Sequence, residues 1–394
     1  MNWQTAKNIE ENKYDLPGEW LRIEYFEVLN ILFRVENALR AFVYITLKNE
    51  FQDKWKDLSI TSDDEENSTI SAIAKRRIAQ DKNYAYLGYS ISTPLVHLTS
   101  GELIRIITSE KYWKLFKSCF PGSKEIIKNK LDEIGNVRNS VAHFRPIKKG
   151  DVELIKQNSV HTLSDLEKKL VDFISCSDRV PTNTEDLWYK EMMTLQSEYC
   201  SLSFYQGKKE EWIQVTLRFK SPFTIGSRIS SFVKFNTYNL KTYGILNGYP
   251  ELLKYIITVT ENNPSPFTEN IDEVKIIKTI AFTLSNSTIA KNYKIIKEEF
   301  EKIILQINTE LNLIQQDNLA RGKLIEIISV YLEKPQNSEY FRIDGNNPFR
   351  SVLDEDTPPE FWGELSHASE NFITNTNKFP WMPDEISDDV SLPF

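Results

Sequence analysis

Apolar residues recur at helical spacing through the first half of the chain. Behind the breaker Pro17-Gly18, one stripe follows steps of three, four and seven residues, which predicts a helix of about nine turns. Four further helical patterns occupy residues 73–89, 101–120, 123–144 and 164–175, and the polar stretch 58–70 is typical of a loop. The stripe consists of Leu21, Tyr25, Leu29, Leu32, Leu39, Val43 and Leu47.

The pattern changes at residues 177–186, where we place a domain boundary. EWIQVTLRF alternates apolar and polar positions and predicts a half-buried strand, with YCSLSFY and RISSFVKFNTY as companions in a small sheet over 198–240. From residue 271 the helical period returns and predicts a long core-packing helix. The apolar positions are Ile213, Val215, Leu217 and Phe219 in the strand and Ile296, Phe300, Ile303, Ile307, Leu311 and Ile314 in the helix.

These patterns predict a mainly α fold with a smaller α+β part. Residues 1–17 form an N-terminal extension, 18–178 a helical bundle, and 187–340 a domain with a small antiparallel sheet and long helices. Residues 341–394 are acidic, lack periodicity and are expected to be extended.

Cysteine usage and hydropathy indicate in which cellular compartment the protein resides. The three cysteines are widely spaced and form no CxxC, which argues against a disulfide framework and a zinc site, so neither a metal nor a cofactor is expected. No stretch reaches the roughly 18 apolar residues that a membrane span needs, and the N-terminus lacks the pattern of a signal peptide. We therefore expect a cytoplasmic protein without membrane association.

The net charge of -8 is unevenly distributed along the chain. Residues 351–394 hold ten acids and one base, a net charge of -9, which leaves +1 for residues 1–350. Residues 120–149 hold seven bases and three acids, a net charge of +4. Because a phosphate backbone responds to local charge, RNA stays a candidate partner, with Arg145, Lys148 and Lys149 as RNA-binding residues.

The basic stretch contains VRNSVAHFRP, with Arg138, Asn139 and His143. On a helix Asn139 and His143 share a face, whereas Arg138 and His143 point about 140° apart, and Pro146 ends the helix close behind them. An imidazole that moves a proton and a guanidinium that holds a phosphate suit metal-free phosphodiester cleavage. The residues equally suit structural roles, Arg138 as an interhelical ion-pair partner and His143 as a helix cap.

Glu36 falls on the apolar stripe between Leu32 and Leu39, where an unpaired carboxylate is costly. Glu36 lies at the edge of the stripe, pairs with Arg40 one turn on, or belongs to a site, and the sequence leaves these possibilities open.

VRNSVAHF resembles the R-N-x-x-x-H signature of the HEPN superfamily. RVENALRAFV, which holds Glu36 and Arg40, is similar to the first long HEPN helix, and YLGYSISTPLVHLTSGELIRIITSEKYWKLF resembles the middle of HEPN domains of abortive-infection and toxin-type proteins. The resemblance covers residues 18–178.

The resemblance implies a bundle of four or five helices that dimerises, so that two motifs form one ribonuclease centre that needs no metal. Arg138 and His143 are then catalytic, Asn139 supports them, and Glu36 tethers Arg138. The products are a 2',3'-cyclic phosphate and a 5'-hydroxyl, the substrate is transfer or messenger RNA, and the role is that of an antiphage effector or toxin. Other members of the superfamily are inactive, so a non-catalytic adaptor that binds RNA or a protein is the alternative.

The chain ends in DEISDDVSLPF, which resembles the acidic Pro-Phe tip of bacterial single-stranded DNA-binding proteins. That resemblance implies a protein partner bound through Pro393 and Phe394. There are two alternatives: the tail only increases solubility, or it folds onto the basic stretch 120–149 and blocks it.

For residues 187–340 we expect a sensor or specificity domain. Basic residues near aromatic strand residues suggest either a nucleic-acid surface or solvated strand edges. The basic residues are Lys208, Lys209, Arg218, Lys220 and Arg228, and the aromatic ones are Phe204, Tyr205 and Trp212.

Overall fold

The computed structural model describes most of the chain and shows an α+β fold. The described residues are 23–60, 69–82, 94–143, 145, 147–229, 232–266, 268, 270, 272, 274–319, 321–335, 338–343, 347–351, 357–365 and 371–375. The helices are α1 Ile23–Phe51, α2 Ile70–Lys82, α3 Ser100–Thr108, α4 Trp113–Phe116, α5 Lys124–Ala142, α6 Lys149–Ile174, α7 Leu187–Met192, α8 Thr242–Gly248, α9 Pro250–Leu253 and α10 Asn286–Gln315. The strands are β1 Cys200–Gln206, β2 Trp212–Ser221, β3 Phe223–Ile229, β4 Phe232–Leu240, β5 Thr258–Asn262, β6 Ile276–Ser285, β7 Ile325–Glu333, β8 Arg342–Ile343 and β9 Phe361–Gly363.

Helix α1 lies at the centre of the first half and contacts α3, α5 and α6. Of the predicted stripe, Leu32, Leu39, Val43 and Leu47 are buried, but Leu29 is 47% exposed. The helix also buries residues off the stripe, namely Val28, Ile31, Val35 and Phe42. Neighbours pack on several sides of α1, so a single apolar stripe underestimates its buried surface.

Two predicted helices differ from the observed ones. The segment 101–120 is not one helix, because α3 ends at Thr108. The next residue, Ser109, has an extended backbone, and its hydroxyl accepts a hydrogen bond from the Tyr112 amide. Helix α6 begins at Lys149, 15 residues before the predicted start at 164. The buried residues Val152 and Ile155 of its first turns are followed by the buried polar residues Asn158, Ser159 and Thr162, which interrupt the apolar spacing. The predictions for 61–68 and 83–89 lie outside the described residues.

The second half contains two sheets, whereas the sequence predicted one. The first has five strands in the order β1-β2-β6-β5-β9, antiparallel except for β5 and β9, and the second is antiparallel in the order β3-β4-β7-β8. Strand β6 lies where the helical period was predicted to return, and β7 lies beyond the predicted long helix, where no element was predicted. Both pair with strands far away in sequence, which no local pattern indicates.

The strand β2 and helix α10 form the core of the second half. The prediction of a half-buried β2 was wrong for its first six residues, which are all buried. All six apolar positions predicted for the long helix are buried in the core that α10 shares with the five-stranded sheet.

The two halves share a core. Trp212 of β2 and Ile257 are buried among the helices of the first half, and the Tyr44 hydroxyl donates to the Ile257 carbonyl at 2.7 Å. Lys48 is 3% exposed and its ammonium lies 2.6 Å from the Glu360 carboxylate. The predicted boundary at 177–186 therefore separates two secondary-structure patterns that pack on each other.

Described parts of the predicted extended tail also pack. Strand β9 joins the first sheet, and Ile373 is fully buried against the first-half helices. The segment 371–375 is held by two buried side chains, Arg34 and Glu167. Arg34 donates to the carbonyls of Phe372 and Asn375 at 2.6 and 2.8 Å, and Glu167 accepts from the amide of Ile373 at 2.5 Å. The prediction of an extended chain from residue 341 is wrong for these parts.

Candidate functional site

Three helices meet at the carboxylate of Glu36. One carboxylate oxygen accepts a hydrogen bond from the Ser100 hydroxyl of α3 at 2.7 Å and from Nε of Arg138 of α5 at 3.3 Å. The other oxygen binds the Arg40 guanidinium one turn along α1. The pair between Glu36 and Arg40 that the sequence offered is therefore present. The contact with Arg138 is the interhelical ion pair that the sequence offered as a structural role for that arginine.

The position of Ser100 is fixed by the start of α3. Thr99 caps this helix, and Glu102 completes a capping box with it. Arg77 of α2 binds Glu102 through both terminal nitrogens, at 2.7 and 2.8 Å. Burial by itself raises the pKa of the Glu102 carboxyl, but the hydrogen bonds from Arg77 and Thr99 outweigh it and lower that pKa. This ionised cap holds Ser100 where its hydroxyl reaches Glu36.

Arg138 is held at one atom and open at the others. Its side chain is 36% exposed, and among the described residues its hydrogen bond through Nε is the one that the guanidinium makes. The two terminal nitrogens therefore remain available to an anion such as a phosphate. Below it lies a small crevice walled by apolar side chains of α1, α3 and α5, into which Glu36 and Ser100 also open.

His143 caps the C-terminal end of α5 and is exposed. Its backbone amide donates to the Asn139 carbonyl at 3.2 Å, and its φ and ψ of -100° and 15° leave the helical region. Next to it, the Tyr25 hydroxyl of α1 binds the Val141 carbonyl, and burial raises the pKa of that tyrosine. Asn139 is exposed, and within the described residues its side chain makes no hydrogen bond to His143.

The structure does not bring Arg138 and His143 together within one chain. Arg138 faces α1, whereas His143 lies beyond the last turn of the same helix, as their angular separation predicts. Arg145 and Lys148 are exposed in the short connection from α5 to α6, and Lys149 is exposed at the first position of α6, so all three follow His143 closely along the chain.

Other predicted residues fall elsewhere. Phe204 and Trp212 are 4% and 7% exposed, so they offer no surface to a nucleic acid. The basic residues near them are solvated positions of β2, of β3 and of the turn between β1 and β2. Pro393 and Phe394 lie outside the described residues.

Sequence reasoning missed Ser100 and Arg77. The segment Thr99–Glu102 matches the capping-box pattern, which marks the start of a helix. Nothing in that pattern indicates that the residue after the cap contacts Glu36, 64 positions earlier in the chain.

Over the described ranges, no three His, Cys, Asp or Glu side chains are grouped as a metal site. None of the described helices is long and apolar enough to cross a membrane. Comparisons with protein-family models, with curated proteins and with solved structures find no match to this chain.

Proposed function

We propose that the protein is an endoribonuclease of the HEPN type whose active centre forms between two copies of the chain. The observation that carries the proposal is the tethering of Arg138 through Nε alone, on the helix that ends at an exposed histidine. A guanidinium held in this way presents two donors to a phosphate, and an exposed imidazole moves the proton of the attacking or leaving oxygen.

One chain supplies a single histidine of this kind, and cleavage of an RNA phosphodiester needs a base and an acid. Two copies related by a twofold axis supply both. Leu29 and Phe33 support a contact on this face, because they are 47% and 59% exposed and lie two turns and one turn before Glu36 on α1, respectively. Exposed apolar residues beside a polar site are typical of an interface.

The expected chemistry is attack of the 2'-hydroxyl on the adjacent phosphate, with a 2',3'-cyclic phosphate and a 5'-hydroxyl as products. Arg145, Lys148 and Lys149 add positive charge beside His143 and attract the RNA backbone. Cleavage of cellular transfer or messenger RNA makes the protein a toxin or an abortive-infection effector, and residues 187–340 a trigger or specificity element.

The test is cleavage of total cellular RNA by purified protein with a chelator present, with the product ends identified. His143→Ala is compared with His161→Ala, because His161 is also exposed but lies on α6. Cleavage by wild type and His161→Ala, with none by His143→Ala or Arg138→Ala, supports the proposal. Full activity of His143→Ala refutes it.

A mixture of Arg138→Ala and His143→Ala chains tests the shared centre. A mixed dimer retains one arginine and one histidine, so it regains the phosphate contact and one of the two proton transfers. A weak recovery of cleavage over either variant alone is therefore expected. The separation of Arg138 and His143 in one chain also favours a second candidate, a non-catalytic adaptor. That candidate predicts that wild type leaves RNA intact while it binds RNA or a partner protein.

A further inference from the structure

The four-stranded sheet β3-β4-β7-β8 has one covered face and one open face. Val233, Phe235, Val330 and Leu332 point to the covered face, where they pack with the buried ring of Phe349. Alternate residues of the same two central strands point the other way and are exposed or partly exposed. They are Phe232, Lys234 and Asn236 of β4 and Ile327, Ser329 and Tyr331 of β7.

The open face carries large aromatic surface. Tyr331 is 47% exposed within the regular pairing of β7 with β4, and Phe232 is 44% exposed at the first residue of β4. Residues two apart on one strand stand roughly 7 Å apart on the same face. Rings presented in this way from a sheet are the platforms on which unpaired bases stack, because every base has a flat apolar face.

The polar residues between the rings suit a nucleic acid backbone. Lys234 pairs with Tyr331 across the strands, and its ammonium lies 5.6 Å from the centre of that ring. Asn236 accepts a hydrogen bond from Ser329 at 2.7 Å, so an amide and a hydroxyl stand beside the rings. These groups can donate to phosphate oxygens or read base edges.

The charge of this face differs from that of the whole chain. Its carboxylate at Glu333 is neutralised by Arg342 of β8, whose nitrogens lie 3.0 and 3.1 Å from it. Within the part of the chain that the structure describes, Lys234 makes no ion pair and stands as a cation between Phe232 and Asn236 on the face. A protein interface is depleted of lysine at its core, whereas a phosphate backbone is attracted to a lysine beside an aromatic ring.

We propose that the open face of this sheet binds single-stranded RNA. The site is distinct from the one at Glu36, and only the choice of RNA as the nucleic acid rests on the proposed function. A platform that stacks unpaired bases and a centre that requires a free 2'-hydroxyl select the same substrate class, RNA in loops and unpaired regions.

The experiment measures binding apart from cleavage. The full chain carrying His143→Ala is titrated into a fluorescein-labelled 15-nucleotide oligouridylate, and binding is followed by anisotropy, with an RNA duplex of equal length as competitor. Tyr331→Ala removes the central ring, Tyr331→Phe keeps it, and Tyr243→Ala is the matched control, because Tyr243 is a 37% exposed tyrosine on α8.

Loss of one stacked base is expected to weaken binding about 5- to 150-fold in Tyr331→Ala, while Tyr331→Phe and Tyr243→Ala stay within about twofold of the parent. Lys234→Ala is expected to reduce the slope of log Kd against log salt concentration by about 0.7. The proposal is overturned if Tyr331→Ala and Tyr243→Ala bind the oligouridylate with equal affinity, or if the duplex competes as well as single-stranded RNA. It is also overturned if the protein does not bind the oligouridylate at all, as would be the case if the face binds a protein instead. Because anisotropy measures binding without cleavage, failure of this proposal is distinguishable from failure of the proposed ribonuclease activity.

Discussion

Glu36 is the carboxylate that joins α1, α3 and α5, and Glu36→Gln removes its charge while it keeps its shape. The carboxylate accepts from Ser100, Arg40 and Arg138, and its side chain is 14% exposed. In glutamine one of the two oxygens becomes an NH2 group, which is a donor that faces donors. At least one of the three hydrogen bonds is then lost.

The magnitude follows from these contacts. A hydrogen bond to a charged group contributes about 1.5–3 kcal/mol, whereas a partly exposed pair one turn apart contributes about 0.5 kcal/mol. The 3.3 Å contact with Arg138 is long and adds little. We expect Glu36→Gln to lower the free energy of unfolding by about 2 kcal/mol, a cost that leaves the protein folded.

Denaturation in urea measures this loss, and Glu50→Gln is the control, because Glu50 is exposed on the last turn of the same helix. The control is expected to stay within about 0.5 kcal/mol of wild type. RNA cleavage by Glu36→Gln should fall at least tenfold, because Arg138 loses the group that orients it. A variant as stable and as active as wild type would show that Glu36 neither joins the helices nor positions Arg138.

Three further results are expected. Glu310→Gln should lower the free energy of unfolding by about 2 kcal/mol, because the buried carboxylate accepts hydrogen bonds from three backbone amides before and at the start of β7. Denaturation in urea measures this loss, with Glu298→Gln as the control because Glu298 is exposed on the same helix. Glu167→Ala should release the segment 371–375, seen as faster amide hydrogen exchange there, and unchanged exchange would contradict the contacts described. Burial raises the pKa of the Cys200 thiol to about 12, so the folded state holds the thiol proton more tightly than the unfolded chain does. The free energy of unfolding should therefore fall by up to about 4 kcal/mol as the pH rises from about 9 toward 12. Cys200→Ala should flatten that alkaline decline, and an identical pH profile of the variant would assign the decline to other groups.

The sequence by itself determined the features that depend on local geometry. The periodicity of α5 and the alternation in β2 were enough to place these elements within a few residues, and the periodicity of α10 gave its buried face and its end but not its start. The different directions of the Arg138 and His143 side chains followed in the same way. Two residues five positions apart on a helix point in directions that differ by a fixed angle, wherever that helix packs. The cost of a lone carboxylate on an apolar stripe likewise required partners for Glu36.

Only the tertiary structure decided which distant residues meet. Ser100 reaches Glu36 because the capped start of α3 packs on α1. Strands β6 and β7 form because they pair with strands far along the chain. The second sheet has one open face because Phe349 covers the other. The physical reason is range. A hydrophobic period records how one segment divides between core and solvent, whereas contacts between segments depend on how the whole chain closes its loops and fills its core, which no single segment encodes.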